Sequence, residues 1–485
     1  MVFWYFAMGM EYARDLDLDR TAEDMSHPFP PGFIWGTATA SYQIEGAAQV
    51  DGRGVSIWDT FSRTPGKVKN GDTGDVACDH YNRYPEDIAL MQSLGIQSYR
   101  FSIAWPRLFP KGDDVREERG FDFYNRLIDA LIAAGIEPII TLYHWDLPQA
   151  LEDKGGWANR ETAYAFADYA TACAQAFGDR VKSWITLNEP WCVSWLSYSM
   201  GIHAPGKKDY RAAVAAAHHT SLAHGLATRA LKAVDSTFKV GLTVNLTNYI
   251  NENPEDPVVA EVIDLLDGNY NRWWIDGIQH GEYPATLLAA YGDLVDGVIL
   301  PGDMDIVKVD NEFLGVNYYR DEFVGSARPE DIPLRDRAHM PFDQRVNLSN
   351  PDRLLGGLTD IGWPVTPHGI KDLVLRIHRD WPAITDLKIT ENGCAINDGP
   401  GIDGRVNDQR RIDYVRAHLG NLSEAIAEGA PVTAYYAWSL LDNYEWAEGY
   451  SQRFGMIYVD YQTQQRTIKA SGHEYKKIIS ENAVN

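Results

Sequence analysis

SYRFSIAW (98–105), FDFYNRLIDALIA (121–133) and EPIITLYH (137–144) lie close together in the chain, and their order decides the fold. The first and third runs are short and rich in β-branched and aromatic residues, as buried strands are. In the second, Tyr124, Leu127, Ile128 and Leu131 recur at three- and four-residue spacing, which places them on one face of a helix over 122–134. The unit therefore reads strand, helix, strand. The same alternation continues in both directions. Strands are expected at 33–41, 98–105, 137–144, 183–189, 239–246, 313–319, 386–392 and 432–439, with helices at 122–134, 161–177, 212–234, 258–280 and 407–428. Eight strands with intervening helices predict an α/β fold, a (β/α)8 TIM barrel in one domain, with its active site at the carboxyl rim of the strands. A doubly wound nucleotide-binding sheet wants a GxGxxG turn after its first strand; here the first strand leads into YQIEG (42–46).

The 485 residues suit such a barrel, which can absorb several hundred residues as one domain. Composition is globular, 45% hydrophobic and 23% charged, and the formal charge is −24. A surface that acidic repels phosphate backbones and anionic lipid, so neither a nucleic-acid nor a membrane role is expected. The chain holds 15 Trp and 26 Tyr, whose faces suit the apolar faces of sugars as well as large cores. Four scattered cysteines, Cys78, Cys173, Cys192 and Cys394, form neither a disulfide framework nor a metal motif, and the cytoplasm is the expected compartment. Residues 1–25 include an apolar stretch, Val2 to Met10, that lacks a basic leader and is too short for a span. They read as an N-terminal extension of unknown role before a barrel domain over 26–485. A homo-oligomer is compatible with this organisation.

The polar residues fall at strand ends. His144, Glu189, Asn317, Glu391 and Trp438 each sit near the carboxyl end of an expected strand. Glu189, in WITLNEP (184–190), and Glu391, in LKITENG (387–393), would end the fourth and seventh. Distance along the chain is irrelevant once the sheet closes, because strand ends meet over the barrel mouth. Either Glu alone reads as a solvated residue opening a loop. Two facing carboxyls are what glycosidic cleavage needs: one protonates the departing oxygen, and the other attacks the anomeric carbon or activates water.

The chain also carries FIWGTATA (33–40), YQIEG (42–46), YRFSIAWP (99–106), LYHWDLP (142–148), TLNEP (186–190), ITENG (389–393) and DNYEWAEGY (442–450). With these ordered motifs it resembles glycoside hydrolase family 1 enzymes of the β-glucosidase type, over residues 29–479. The resemblance implies a retaining β-glucosidase acting on terminal β-D-glucosyl residues of β-glucosides and cello-oligosaccharides, with β-galactosides, β-fucosides and transglycosylation within reach. It implies Glu189 as acid/base, Glu391 as nucleophile and Arg100 as the cation beside it. It further implies Gln43, His144, Asn188, Glu445 and Trp446 as sugar-hydroxyl partners and Trp438 as the floor under the sugar. Asn317 belongs to the same shell, Tyr319 resembles the tyrosine that bonds the nucleophile, and Phe454 resembles the residue closing the site edge. Trp145, Trp191, Cys192, His203 and Trp363 are expected on the aglycone side. A carboxylate at Glu445 would repel a 6-phosphate, so the expected substrate is a small, non-phosphorylated glycoside.

No metal or cofactor is expected, since displacement at an anomeric carbon needs only protons and a nucleophile. His218, His219 and His224 lie on one Ala-rich helical stretch and are poorly arranged to share an ion. Two rivals are a non-catalytic sugar-binding relative, which would lack one or both carboxylates, and a predominant transglycosylase, which sequence cannot separate from a hydrolase.

Overall fold

The computed structural model describes residues 26–327, 345–349 and 357–485. The extension at 1–25 lies outside them. Eight parallel strands close into a barrel: β1 (Ile34–Ala38), β2 (Ser98–Ser102), β3 (Glu137–Tyr143), β4 (Ser183–Asn188), β5 (Lys239–Asn245), β6 (Phe313–Asn317), β7 (Leu387–Asn392) and β8 (Val432–Trp438). Each pairs with its neighbour in sequence, and β8 returns to β1 through Ala434 opposite Ile34 and Trp438 opposite Ala38. Nearly every strand residue is buried, because helices cover the outside and side chains fill the inside.

Each expected strand is present, and most are shorter at the carboxyl end. The ladder stops at Ser102 rather than 105, at Asn188 rather than 189, and at Asn317 rather than 319. The residues beyond have left the sheet to form the rim, so the shortening moves Glu189 and Tyr319 onto loops. Between the strands run α1 (His80–Leu94), α2 (Glu118–Ala133), α3 (Glu161–Phe177), α4 (Tyr210–Val234), α5 (Pro257–Asp267), α6 (Trp273–His280), α7 (Pro367–Asp380) and α8 (Gln409–Ala427), with α9 (Ala470–Glu481) after β8. The single helix expected at 258–280 is broken by a wider π turn at Gly268–Arg272 between α5 and α6. α1 was not foreseen because Pro85 sits inside it and its amphipathicity is weak. α7 opens with Pro367 in the first turn, where a missing N–H costs nothing, and buries Ile370, Leu373, Val374 and Ile377 along one face.

Beneath the rim, buried ion pairs tie the early loops together. Arg107 bonds Glu45 at 2.9 Å, Arg53 bonds Asp59 at 2.7 Å, and Ser41 donates to Asp146 at 2.7 Å. The chain ends are joined as well: His27–Pro28 pairs with Ala483–Val484, and Trp35 donates its indole N–H to Asn482 at 2.9 Å. Among the described residues no helix is long and apolar enough to cross a membrane.

One glycine sets the rim geometry. A Cβ on Gly393, two residues after Glu391, would lie 1.8 Å from the carbonyl oxygen of Trp438. The ends of β7 and β8 can approach this closely only without a side chain there. Gly393→Ala is therefore expected to lower stability by roughly 1–3 kcal/mol, the usual cost of overpacking. Chemical denaturation against wild type measures this, and an unchanged midpoint would contradict the packing account.

Candidate active site

Glu189 is the first residue after β4, with φ 48° in the left-handed region, and Pro190 follows. Its backbone N–H donates to the Thr243 carbonyl of β5 at 2.9 Å. Trp145 and Trp446 also have positive φ, 81° and 47°. Bulky residues rarely adopt this conformation, and such strain gathers at functional sites. Glu391 stays within β7, while Asn188 and Asn317 are the last residues of β4 and β6 and Arg100 lies in the middle of β2. Closure of the barrel brings these five side chains together.

Arg100, 1% exposed, is the hub. It donates to Glu391 Oε1 at 2.6 Å, the Thr390 carbonyl at 3.0 Å, Thr141 Oγ1 at 3.0 Å and Asn188 Oδ1 at 2.6 Å. The other oxygen of Glu391 accepts from the Tyr319 hydroxyl at 2.6 Å.

A guanidinium only donates, so it fixes the direction of the bonds that follow. Asn188 must present its oxygen to Arg100, and that oxygen also accepts from Asn317 Nδ2 at 3.1 Å. Asn317 Nδ2 in turn donates to Glu189 Oε1 at 2.7 Å, while its oxygen accepts from Thr390 Oγ1 at 2.7 Å. The remaining amide of Asn188 donates to His144 Nε2 at 3.0 Å. His144 therefore carries its proton on Nδ1. That atom is buried with no protein partner, as is Gln43 Oε1 among the described residues. One is a donor and the other an acceptor, which suits two sugar hydroxyls.

The two carboxyls differ in electrostatics. Burial raises both. Glu391 is drawn back down by the Arg100 guanidinium, then by the Tyr319 hydroxyl. Glu189 is pushed up to about 7, first by burial and then by the negative charge of Glu391. Of the pair, Glu391, ion-paired to Arg100, is the more easily ionised, and Glu189 the more easily protonated. Burial also pushes His144 well below the usual histidine range, so its ring stays neutral.

Glu445 accepts from Gln43 Nε2 at 3.3 Å. Burial, then Glu391 and Glu189, pushes its carboxyl up to about 8. Gln43 Nε2 is held from behind by Asn443 Oδ1 at 3.0 Å and the Tyr444 carbonyl at 2.9 Å, which leaves its oxygen free. Trp438 stacks on His144 with centroids 5.8 Å apart, and Trp446 packs on His144 at 5.9 Å and on Trp145 at 4.6 Å. His203 joins this cluster at 5.2 Å from Trp145. Trp145 also donates its indole N–H to the Asn188 carbonyl at 2.9 Å. Phe454 and Trp363 form a second aromatic group beside Tyr319, at 6.2 and 5.4 Å, with the Arg320 guanidinium 4.6 Å over Trp363.

Trp191 packs on Tyr270 at 4.4 Å and donates to Asn269 at 2.7 Å. Cys192, expected on the aglycone side, touches the carboxyl of Glu189, its Sγ 3.2 Å from Oε2. Asn245, the last residue of β5, donates to that sulfur at 3.5 Å and to the Tyr270 hydroxyl at 2.7 Å. Thr141, Thr390, Asn245 and Tyr270 were not singled out from sequence. Asn245 could have been found by the same strand-end address that located Asn317. The three histidines of α4 have other partners: His218 bonds Asp303 at 2.8 Å, His219 the Trp157 carbonyl at 3.0 Å and His224 Thr186 at 2.7 Å.

Comparison with known proteins shows the family. The family model described as glycosyl hydrolase family 1 matches residues 25–484. Beta-glucosidase A of Thermotoga maritima is 44% identical over 456 residues, 94% of this chain and 98% of that protein. A bifunctional beta-D-glucosidase/beta-D-fucosidase of Bifidobacterium breve is 44% identical over 471 residues, 95% of this chain and 100% of that protein. A solved family 1 b-glucosidase from Thermotoga maritima superposes with a TM-score of 0.86 at 43% identity, covering 94% of this chain and 99% of that one.

The charge coupling between the two carboxyls can be measured directly. Glu391→Gln removes the like charge that helps hold Glu189 up, so the pKa of Glu189 is expected to fall from about 7 by on the order of one unit. Carbon-13 NMR of labelled glutamate reads this; an unmoved titration would mean that Glu391 contributes nothing.

Proposed function

The chain belongs to glycosyl hydrolase family 1, and from that membership we propose how its residues divide the work of a retaining β-glucosidase. The enzyme is a glycoside hydrolase that removes β-D-glucosyl residues with retention. The observation that carries the assignment of roles is the pair of buried carboxyls, one ion-paired to Arg100 and the other kept protonated by burial and by its partner's charge.

Glu391 attacks the anomeric carbon as the bond to the leaving oxygen breaks, and Glu189 gives that oxygen its proton. A glycosyl ester on Glu391 results. Its formation neutralises Glu391, which removes one of the causes holding Glu189 up; Glu189 now ionises more readily and takes a proton from the water that opens the ester. Tyr319 releases its bond to Glu391 Oε2 as that carboxylate loses its charge. Asn188 and Asn317, oriented through Arg100, hold Glu189 and the sugar in register. His144 Nδ1 donates to a sugar hydroxyl and Gln43 Oε1 accepts from one, with Trp438 beneath the ring. Glu445 accepts from further hydroxyls, which would draw its carboxyl back below about 8.

Non-phosphorylated glucosides and cello-oligosaccharides are the substrates this shell fits, since a 6-phosphate would add negative charge beside Glu445, where burial and the charge of Glu391 already push a carboxyl up to about 8. Action on β-fucosides is supported by the likeness to the Bifidobacterium breve enzyme. Both carboxylates are in place, so a non-catalytic sugar-binding role is not favoured.

Glu391→Ala is expected to abolish turnover, with azide restoring it and giving an α-configured product. Glu189→Ala should cost on the order of 10²–10⁴ in kcat/KM on cellobiose while largely sparing dinitrophenyl β-glucoside, whose leaving group needs no proton. Near-normal turnover in a pure Glu391→Ala sample would overturn the assignment. On cellobiose, kcat/KM should fall as pH rises through about 7, where Glu189 loses its proton, and also on the acid side, where Glu391 gains one. A profile flat from pH 5 to 9 would exclude Glu189 as the acid. Faster turnover of cellobiose 6-phosphate than of cellobiose would refute the reading of Glu445.

A further inference from the structure

The proton that Glu189 transfers has a definite seat. Asn317 Nδ2, fixed as a donor through Asn188 and Arg100, occupies Glu189 Oε1 at 2.7 Å. A carbonyl oxygen accepts such a bond better than a carboxylic O–H oxygen, so in the acid form the hydrogen belongs on Oε2. The atom facing Oε2 is Cys192 Sγ, 3.2 Å away. A thiol, unlike an amide N–H, can either donate or accept.

We propose that Cys192 is a positioning residue for the acid/base, holding the transferable hydrogen on Glu189 Oε2 and reversing its own hydrogen bond when Glu189 changes from acid to base. The proposal rests on the reading of Glu189 as the acid/base. In the acid form the Oε2–H points toward the sulfur until the glycosidic oxygen arrives. The hydrogen then passes to that oxygen as the bond to the anomeric carbon breaks, and the electron pair stays on Oε2. The thiol turns about its Cβ–Sγ bond and donates S–H to the new carboxylate. When water attacks the glycosyl ester, its proton goes to Oε2 and the thiol turns back. The thiol is neither consumed nor oxidised.

The surroundings suit this role. Asn245 donates to the sulfur at 3.5 Å and is itself anchored on the Tyr270 hydroxyl at 2.7 Å, so the sulfur is held in place while its hydrogen remains free to turn. Burial, followed by the charge of Glu189, pushes the Cys192 thiol well above its usual range, so it keeps its hydrogen throughout the working pH range. The groups that act on Glu189 and Cys192 from the packed elements are Glu391 of β7, Arg100 of β2, Tyr319 and Arg320 after β6, Tyr270 of the π turn and Glu445 after β8. None of these is changed in the test.

A thiol donating to the carboxylate favours the ionised form more than a sulfur accepting from the acid favours the protonated one. Cys192→Val fills the space without either capacity, and Cys192→Ser supplies a stronger donor. On cellobiose, the alkaline limb of kcat/KM is expected to move up by about half a unit in Cys192→Val and down by about as much in Cys192→Ser. On dinitrophenyl β-glucoside neither variant should move it, because that leaving group departs without a proton. Cys192→Ser carries the test alone if the valine variant does not fold. An unmoved limb on cellobiose in Cys192→Ser, or equal shifts on both substrates, would overturn the proposal. Failure of the underlying reading has a separate signature: Glu189→Ala would then lower kcat/KM equally on the two substrates.

Discussion

The buried guanidinium of Arg100 touches one of three carboxyls gathered at the barrel mouth, and the protonation of the site follows from that unequal sharing. Removing charge from water is expensive, and three neighbouring carboxylates with one such contact cannot all stay ionised. Glu391 takes the ion pair at 2.6 Å. Glu189 and Glu445 are left with burial and with the charge of their neighbours, and their carboxyls rise to about 7 and about 8. The contrast between the carboxyls is thus a consequence of where one arginine sits.

The same arginine sets the polarity of the hydrogen bonds around it. Because it has no acceptor, Asn188 presents oxygen to it, Asn317 presents nitrogen to Asn188 and to Glu189, and His144 receives a hydrogen on Nε2 and carries its own on Nδ1. Directionality propagates from β2 through β4 to β6 and β3 without any moving part. This preorganisation matters because donors already aimed in a dry site need no reorientation as charge develops. At Glu189 Oε2 this network meets the Cys192 thiol, a group able to bond in either direction.

The barrel supplies the rigidity this requires. Strands buried on both faces hold Arg100 and Glu391 within the ladder, while Glu189 is turned out of β4 by its left-handed backbone in front of Pro190. Gly393 lets the ends of β7 and β8 approach to backbone contact, placing Trp438 beside the loop that follows Glu391.

Periodicity and strand-end position were enough to read the barrel, because runs such as 98–105 and 122–134 carry their own local preferences. They also located Glu189, Glu391, Asn317 and His144 at the rim, since a polar residue closing an apolar strand has no other place to go. The sequence reading missed α1, where Pro85 masks the helical pattern, missed α7 and α9 as well, and did not register the break at Gly268–Arg272. Cys192, expected on the aglycone side, follows Glu189 by three residues, and the turn that begins there sets its Sγ 3.2 Å from Glu189 Oε2. Composition and local pattern thus determined which residues form strands and which acids face the rim. Only closure of the sheet decided which carboxyl meets Arg100, and so which is charged, because hydrogen bonds and electrostatic coupling depend on distances in space that spacing along a chain does not encode.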